Sequence, residues 1–305
     1  MWRIPVHFAV RSAIGEAATW LDVSSVSYGE PFLDETLQRL VDHQGKHRLY
    51  RTPISQVFAW ASSVKECKPK GLIFHLGRCG STTVSRVLAH SRNMCVLSEP
   101  LTINAVLYSL NHWRERKTPG KLLQDLVSLY SAPVGMAVDT VIKFSSWNVQ
   151  HIEFLSSLWP NAKIIFIHRH PIHVVHSFLR SPPSWLSSKA VDGSVEYKTL
   201  EIAKAISANL RALFRFRDYH REVMLVGYDE IPQVIWGRIA PSLELSLSAV
   251  DLISMQNASA LNSKKPSQIF VPTTENEGLA YNDGTIADIV SAVCDQEYGR
   301  LVQQE

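Results

Sequence analysis

The chain has 305 residues, of which 46% are hydrophobic and 19% charged, with a formal net charge of +3. That length buries a substantial core, and the composition excludes a disordered chain. The mild basicity excludes a protein that coats nucleic acid and fits a local pocket for an anionic small molecule.

The N-terminus, with its apolar stretch broken by His7 and Arg11, reads as mature protein rather than a signal peptide. No apolar run approaches the roughly 18 residues of a membrane span, so a cytoplasmic location is expected. Cys67, Cys79, Cys95 and Cys294 form no C-x-x-C pair, which argues against a disulfide framework or zinc site and for a reducing compartment. Residues 1–68 carry a strand-like piece at Ala18–Val26 and an amphipathic helix candidate at Leu33–His43. They read as an N-terminal extension packed on a single integrated domain, 69–305.

From Leu72 the pattern changes. An apolar strand, Leu72–Leu76, runs into a loop with Gly77 and Gly80 and then a helix, Thr82–Ala89. Such a loop cradles anions: glycines let the backbone approach, N–H groups point at oxygens, and the helix N-terminus adds partial positive charge. A Walker A loop, G-x-x-x-x-G-K-S/T, has lysine directly after its second glycine. Here Ser81 follows Gly80, and the cation, Arg78, comes two residues before it. The loop suits an anionic nucleotide, but not in the manner that binds Mg-ATP.

Further strands are expected at Cys95–Leu97, Ala137–Phe144, Lys163–Ile167 and Val223–Val226. Helical patterns lie between them at Ile103–Arg116, Lys121–Tyr130, Asn148–Leu158 and His173–Leu179. Short apolar strands alternating with helices predict an α/β three-layer sandwich around a mainly parallel sheet. Ligands in such sheets bind beyond the carboxyl ends of the strands. The Gly77–Thr82 loop, Glu99, Lys143 and Arg169 all fall at such ends. Pro171 suits the first turn of the next helix, and Ser177 stands eight positions after Arg169. The guanidinium fork fits phosphate, and a serine hydroxyl can complete the cage. Each residue also has a plain structural reading: a surface-paired arginine, a helix-capping Glu99, a solvated Lys143, a near-core His75, a Cys79 that fills the loop. His168, His170, His173 and His176 invite a metal site, but His168 should point away from its strand neighbour's side chain, and no carboxylate or cysteine completes the set.

In these motifs the chain resembles the sulfotransferases that use 3′-phosphoadenosine 5′-phosphosulfate (PAPS). That family has a loop of Lys or Arg, any residue, Gly and two Ser/Thr for the 5′-phosphosulfate, here Arg78-Cys79-Gly80-Ser81-Thr82. It also has R-x-P with a serine eight positions beyond the arginine for the 3′-phosphate, here Arg169-His170-Pro171 with Ser177. The arginine-type loop is most similar to tyrosylprotein and bacterial carbohydrate or lipid sulfotransferases. Ser98-Glu99-Pro100 matches the place of the catalytic base, Val141–Phe144 that of a supporting lysine, and Val223–Ile231 a later strand ending in a varied Y-E-D-L.

The resemblance implies a P-loop-like sulfotransferase fold and sulfuryl transfer from PAPS to a hydroxyl or amine of a small-molecule acceptor. Glu99 would be the base, with Lys143 and Arg78 stabilising charge. Arg78, Cys79, Gly80, Ser81, Thr82, Thr83, Arg169 and Ser177 would hold the donor, and Lys264 and Lys265 would close over its phosphates. No metal, nucleic acid or membrane span is implied, and a homodimer is compatible with it. The rivals are a P-loop kinase, which would need the missing lysine, and an inactive nucleotide-binding protein of the same fold. Tyr108, Trp113 and the Ser181–Ser188 stretch with Trp185 are candidates for the acceptor wall.

Overall fold

The computed structural model describes residues 1–9, 17–113, 117–135, 138–183, 185–186, 192–219, 222–261 and 284–303. At the N-terminus β1 (Trp2–Ala9) and β2 (Ala17–Val23) form an antiparallel pair that β3 (Tyr50–Pro53) extends. The β1–β2 register shifts between Pro5 and His7, as expected where proline removes a ladder donor. Helices α1 (Leu33–Gln44) and α2 (Ser55–Ala61) complete this region. β1 packs on α4 (Leu101–Tyr108) and α5 (Lys117–Ser131). The Tyr130 hydroxyl donates to the Pro5 carbonyl at 2.6 Å, and Tyr28 donates to the Tyr130 carbonyl at 2.9 Å.

The remaining elements alternate. β4 (Gly71–His75) leads to α3 (Ser81–Ala89), and β5 (Met94–Ser98) to α4 and α5. β6 (Asp139–Lys143) leads to α6 (Ile152–Leu158), and β7 (Lys163–His168) to α7 (Pro171–Arg180) and α8 (Val195–Tyr219). β8 (Val223–Gly227) is followed by α9 (Ala249–Ser259) and α10 (Gly284–Val302). The strands make one parallel sheet in the order β5-β6-β4-β7-β8.

Alternation along each strand divides the core into two layers. Leu72, Phe74, Leu97, Ile142, Ile164 and Phe166 belong to the larger apolar cluster, which also takes in Ile4, Trp20, Tyr130 and residues of α5, α8 and α10. Ile73, Val96, Val141, Ile165 and Ile167 face the smaller one, with Val84 and Val87 of α3 and Met255 of α9. Burial on both faces explains why these strands read as continuous apolar runs.

Some expected elements are trimmed. The helix expected over Ile103–Arg116 ends at Tyr108 and passes into a 3₁₀ turn, Leu110–His112. The one expected over Asn148–Leu158 begins as a 3₁₀ turn, Ser146–His151, because the Ser145–Asn148 capping box winds the chain tightly first. The 25-residue α8 and the N-terminal β1 were not read from the sequence.

Candidate active site

The five strand ends set out a row of groups along one edge of the sheet. Following the strand order, they are Glu99 after β5, Lys143 at the end of β6, the Gly77–Thr82 loop after β4, Arg169 after β7 and Tyr228 after β8. Above them lies a cleft of about 1430 Å³ whose lining includes the loop, Glu99, Arg169, Ser177 and Tyr228. Parallel pairing thus gathers residues that are far apart in the chain.

The loop achieves its turn with two left-handed glycines, Gly77 at φ +88° and Gly80 at φ +80°. A side chain at Gly80 would also collide, since its Cβ would lie 2.8 Å from Ile231 Cδ1. Gly80 caps α3 without a side-chain bond. Among the described residues, no protein acceptor takes the N–H groups from Arg78 to Thr82. They are left free to bind an anion, as the donors at a helix start are. The Cys79 thiol is buried and donates to the Ile167 carbonyl at 3.3 Å, which fits its reading as loop filler. Arg78 is itself left-handed at φ +52°, and its Nη2 donates to the Ser181 carbonyl at 2.7 Å. Its guanidinium lies 5.2 Å over the Phe178 ring.

At the other end, the register places Ser98 opposite Lys143, and the Glu99 N–H donates to the Lys143 carbonyl at 2.7 Å. Glu99 has φ +49°, so two of the three described non-glycine residues with positive φ are site candidates. Strain of that kind, held by surrounding structure, marks functional sites. Alternation sends Lys143 toward α3, where it is fully buried, paired with the Glu99 carboxylate and 3.3 Å from Thr82 Oγ1. Lys143 is therefore behind Glu99 and Thr82 rather than solvated at the strand end. Burial pushes the Glu99 carboxyl up, but the Lys143 ammonium and the adjacent His75 ring outweigh it and hold it well below the usual range.

His75, for which the sequence leaves two readings, is buried beside Glu99. Its Nδ1 accepts the Gly77 N–H at 2.9 Å, and its Nε2 lies 3.7 Å from Glu99 Oε1 with no hydrogen-bond partner. Burial pulls its pKa down, yet Cys79 and Glu99 more than offset that and raise it. One ring thereby touches both the loop and the carboxylate.

On the far side of the loop, the Arg169 guanidinium lies 4.0 Å over the Tyr228 ring, and Ser177 lines the same space. Tyr228 also approaches Gly80, whose Cβ would be 3.3 Å from it. In the sequence the motif VMLVGYDEI sets Tyr228 at a strand end without marking it as a site residue. Asp229 lines the cleft, whereas Glu230 is held away by Gly227 and Arg238.

The acceptor-wall candidates divide. Tyr108 is exposed, stacks on Trp147 at 4.3 Å, and lines the cleft; Trp185 meets Phe178 edge-on at 5.6 Å and lines it too. Trp113 instead donates to Ser109 outside the lining. No linear signal marked Phe32, Trp147 or Phe178. Lys264 and Lys265 lie outside the described residues, though Ser259 and Ala260 bring the chain to the cleft edge before them. Within the histidine cluster, His168 and His170 pack against the Tyr298 ring, and among the described residues no group of three or more His, Cys, Asp and Glu could hold a metal ion. No described helix is long and apolar enough to cross a membrane.

A sulfotransferase family profile matches residues 72–234, more than half of the chain. No curated protein sequence matches it significantly. Among solved structures, the sulfotransferase STF9 from Mycobacterium avium is similar at 15% identity, covering 78% of this chain and 81% of that one, with a TM-score of 0.50. The sulfotransferase domain of a Synechococcus olefin synthase is similar at 14% identity, covering 75% and 95%, with a TM-score of 0.46. Mouse sulfotransferase SULT7A1, complexed with PAP, is similar at 10% identity, covering 82% and 92%, with a TM-score of 0.48. At 15% identity the likeness to STF9 is one of fold.

Proposed function

Because the chain belongs to the sulfotransferase family, we propose that it transfers a sulfuryl group from PAPS to a hydroxyl or amine of a small acceptor, with Glu99 as the base. The observation that carries this reading is the arrangement of one cleft. Free loop N–H groups lie at its centre, an arginine–serine pair on one side and a buried-ion-paired carboxylate on the other.

The residues fit the donor. The N–H groups of Arg78 to Thr82, with the Ser81 and Thr82 hydroxyls, would take the 5′-phosphosulfate. Arg169, flattened against Tyr228, and Ser177 would take the 3′-phosphate that distinguishes this nucleotide from ATP. In the reaction, the acceptor oxygen or nitrogen bonds to sulfur as the sulfur–oxygen bond to the 5′-phosphate breaks. The leaving adenosine 3′,5′-bisphosphate keeps that electron pair, and the acceptor proton goes to Glu99.

Like phosphoryl transfer, this chemistry depends chiefly on positioning and on charge stabilisation. Lys143 serves both ends: it keeps Glu99 ionised, and through Thr82 it sits next to the loop where charge collects. A carboxylate held at low pKa is a weak ground-state base. It accepts the proton as the forming bond to sulfur acidifies the acceptor.

Thermal unfolding with adenosine 3′,5′-bisphosphate or Mg-ATP tests the donor assignment. A shift with the bisphosphate at concentrations where Mg-ATP gives none is expected. A shift with Mg-ATP alone would overturn the assignment in favour of a kinase.

A further inference from the structure

A further cavity, of about 240 Å³, lies beside the cleft. Tyr108, Ser146, Trp147, Phe178 and Trp185 line both spaces, so the two adjoin across this set of side chains. Beyond this aromatic entrance the walls are Leu76, Ala205 and Ile206, and among the described residues no charged side chain lines it. Its amides are already engaged: Gln150 Nε2 donates to Asn209 Oδ1 at 3.5 Å, and Asn209 Nδ2 donates to the Ser146 carbonyl at 3.1 Å. Water gains few partners in such a space, whereas an apolar group gains by leaving water.

Size and distance narrow the occupant. An apolar cavity of about 150 Å³ takes one benzene ring, so this one accommodates a single ring or at most a fused pair. Leu101, Asn104, Ala105 and Tyr108 line the cleft from one face of α4, from beside Glu99 to the entrance. Seven residues of helix rise span about 10 Å. Along α4 the carboxylate end and the ring end of the acceptor are therefore set apart. The carboxylates of Asp34, Glu35 and Glu99 line the same cleft and disfavour an anionic acceptor.

We propose that this cavity is the acceptor's anchoring subsite, and that the acceptor is an uncharged alcohol whose hydroxyl is separated by a linker from a flat apolar ring. The assignment rests on the sulfuryl-transfer reading for the hydroxyl end, while the cavity's preference for a ring stands on its own walls.

The test is calorimetry on the full chain saturated with adenosine 3′,5′-bisphosphate, titrated with 4-phenyl-1-butanol, 1-butanol and D-glucose. Burying the ring favours binding, so 4-phenyl-1-butanol should bind at least about tenfold tighter than 1-butanol. Ala205→Phe fills the cavity from α8, and Trp185→Ala removes one side of its entrance. Each should erase that tenfold advantage while leaving bisphosphate affinity unchanged. Equal or undetectable binding of the two alcohols, tighter binding of glucose, or an undiminished advantage in both variants overturns the proposal. If the bisphosphate itself fails to bind, the sulfuryl-transfer reading fails, and the same titration without it still tests the cavity.

Discussion

The phosphate-loop half of the cleft is six consecutive residues, Gly77–Thr82, set by two left-handed glycines and one helix start. The aromatic half takes Tyr108 from α4, Trp147 from a 3₁₀ turn, Phe178 from α7 and Trp185 from the chain beyond it. The first half offers backbone donors whose placement is local. The second offers side-chain surfaces that exist only once four segments have packed. Glu99 belongs to neither: its position is local to the end of β5, but its ionisation is governed by Lys143 of β6 and His75 of β4. The difference teaches that a cradle of backbone donors is encoded in a loop, whereas the aromatic wall and the ionisation of Glu99 are encoded in the packing.

Separate substitutions should break these halves apart. The largest effect is expected from Glu99→Gln, which keeps the shape and removes the base: kcat should fall about 10²–10⁴-fold with bisphosphate affinity retained. Full turnover by this variant would show that the base lies elsewhere. Lys143→Met strands the Glu99 carboxylate without its buried partner and should cost about 3 kcal/mol or more of stability, read by denaturant unfolding. The same variant carries a pH signature. As the proposed base Glu99 would act unprotonated, and its folded pKa is depressed from 4.5, so the stability it contributes is present above pH 4.5 and lost as pH falls through the folded value. The acidic limb of kcat should therefore lie below the usual carboxylate range in the natural chain and move up in Lys143→Met.

Arg169→Ala probes the loop half's outer partner. It should weaken adenosine 3′,5′-bisphosphate about tenfold or more, the scale of a lost charged hydrogen bond, and leave adenosine 5′-monophosphate nearly unaffected. Equal losses for both nucleotides would remove Arg169 from the 3′-phosphate. His75→Phe breaks the link between loop and carboxylate. A several-fold fall in both kcat and bisphosphate affinity is expected, against a change in kcat alone if His75 served only Glu99.

The smallest effect concerns Asp34 of α1, whose carboxyl is pushed up to about 6 by burial against its ordinary 3.8, despite accepting the Leu101 N–H. A raised carboxyl pKa means the folded chain binds the proton first. Asp34 alone should thus make the fold more stable as pH falls from about 6 toward 3.8. Asp34→Asn should raise the Tm at neutral pH and lose that advantage near pH 4. A constant difference across the range would show that Asp34 is not the titrating group.

How legible each feature was follows from its range along the chain. The loop, Pro171 at the start of α7, and the strand-end positions of Glu99 and Arg169 could be read because turn chemistry and apolar runs are local signals. Lys143 was placed at the correct strand end but given a solvated alternative. Only the pairing of β5 with β6, and the alternation that turns Lys143 toward α3, bury it against Glu99 and Thr82. The helix expected through Arg116 stopped at Tyr108, where its end presents that ring to Trp147, a contact no linear pattern contains.

By itself, then, the sequence determined that this is an α/β chain with a glycine-containing strand-to-helix loop lacking the kinase lysine, and which charged residues stand at the strand ends. Periodicity and glycine placement act within a few residues and need no partner. The tertiary structure decided that Arg78, Glu99 and Arg169 share one cleft, that Lys143 is buried behind it and holds Glu99 ionised, and that an apolar cavity adjoins it. Each of these depends on groups tens of residues apart being brought within a few ångströms, where desolvation and packing set their chemistry.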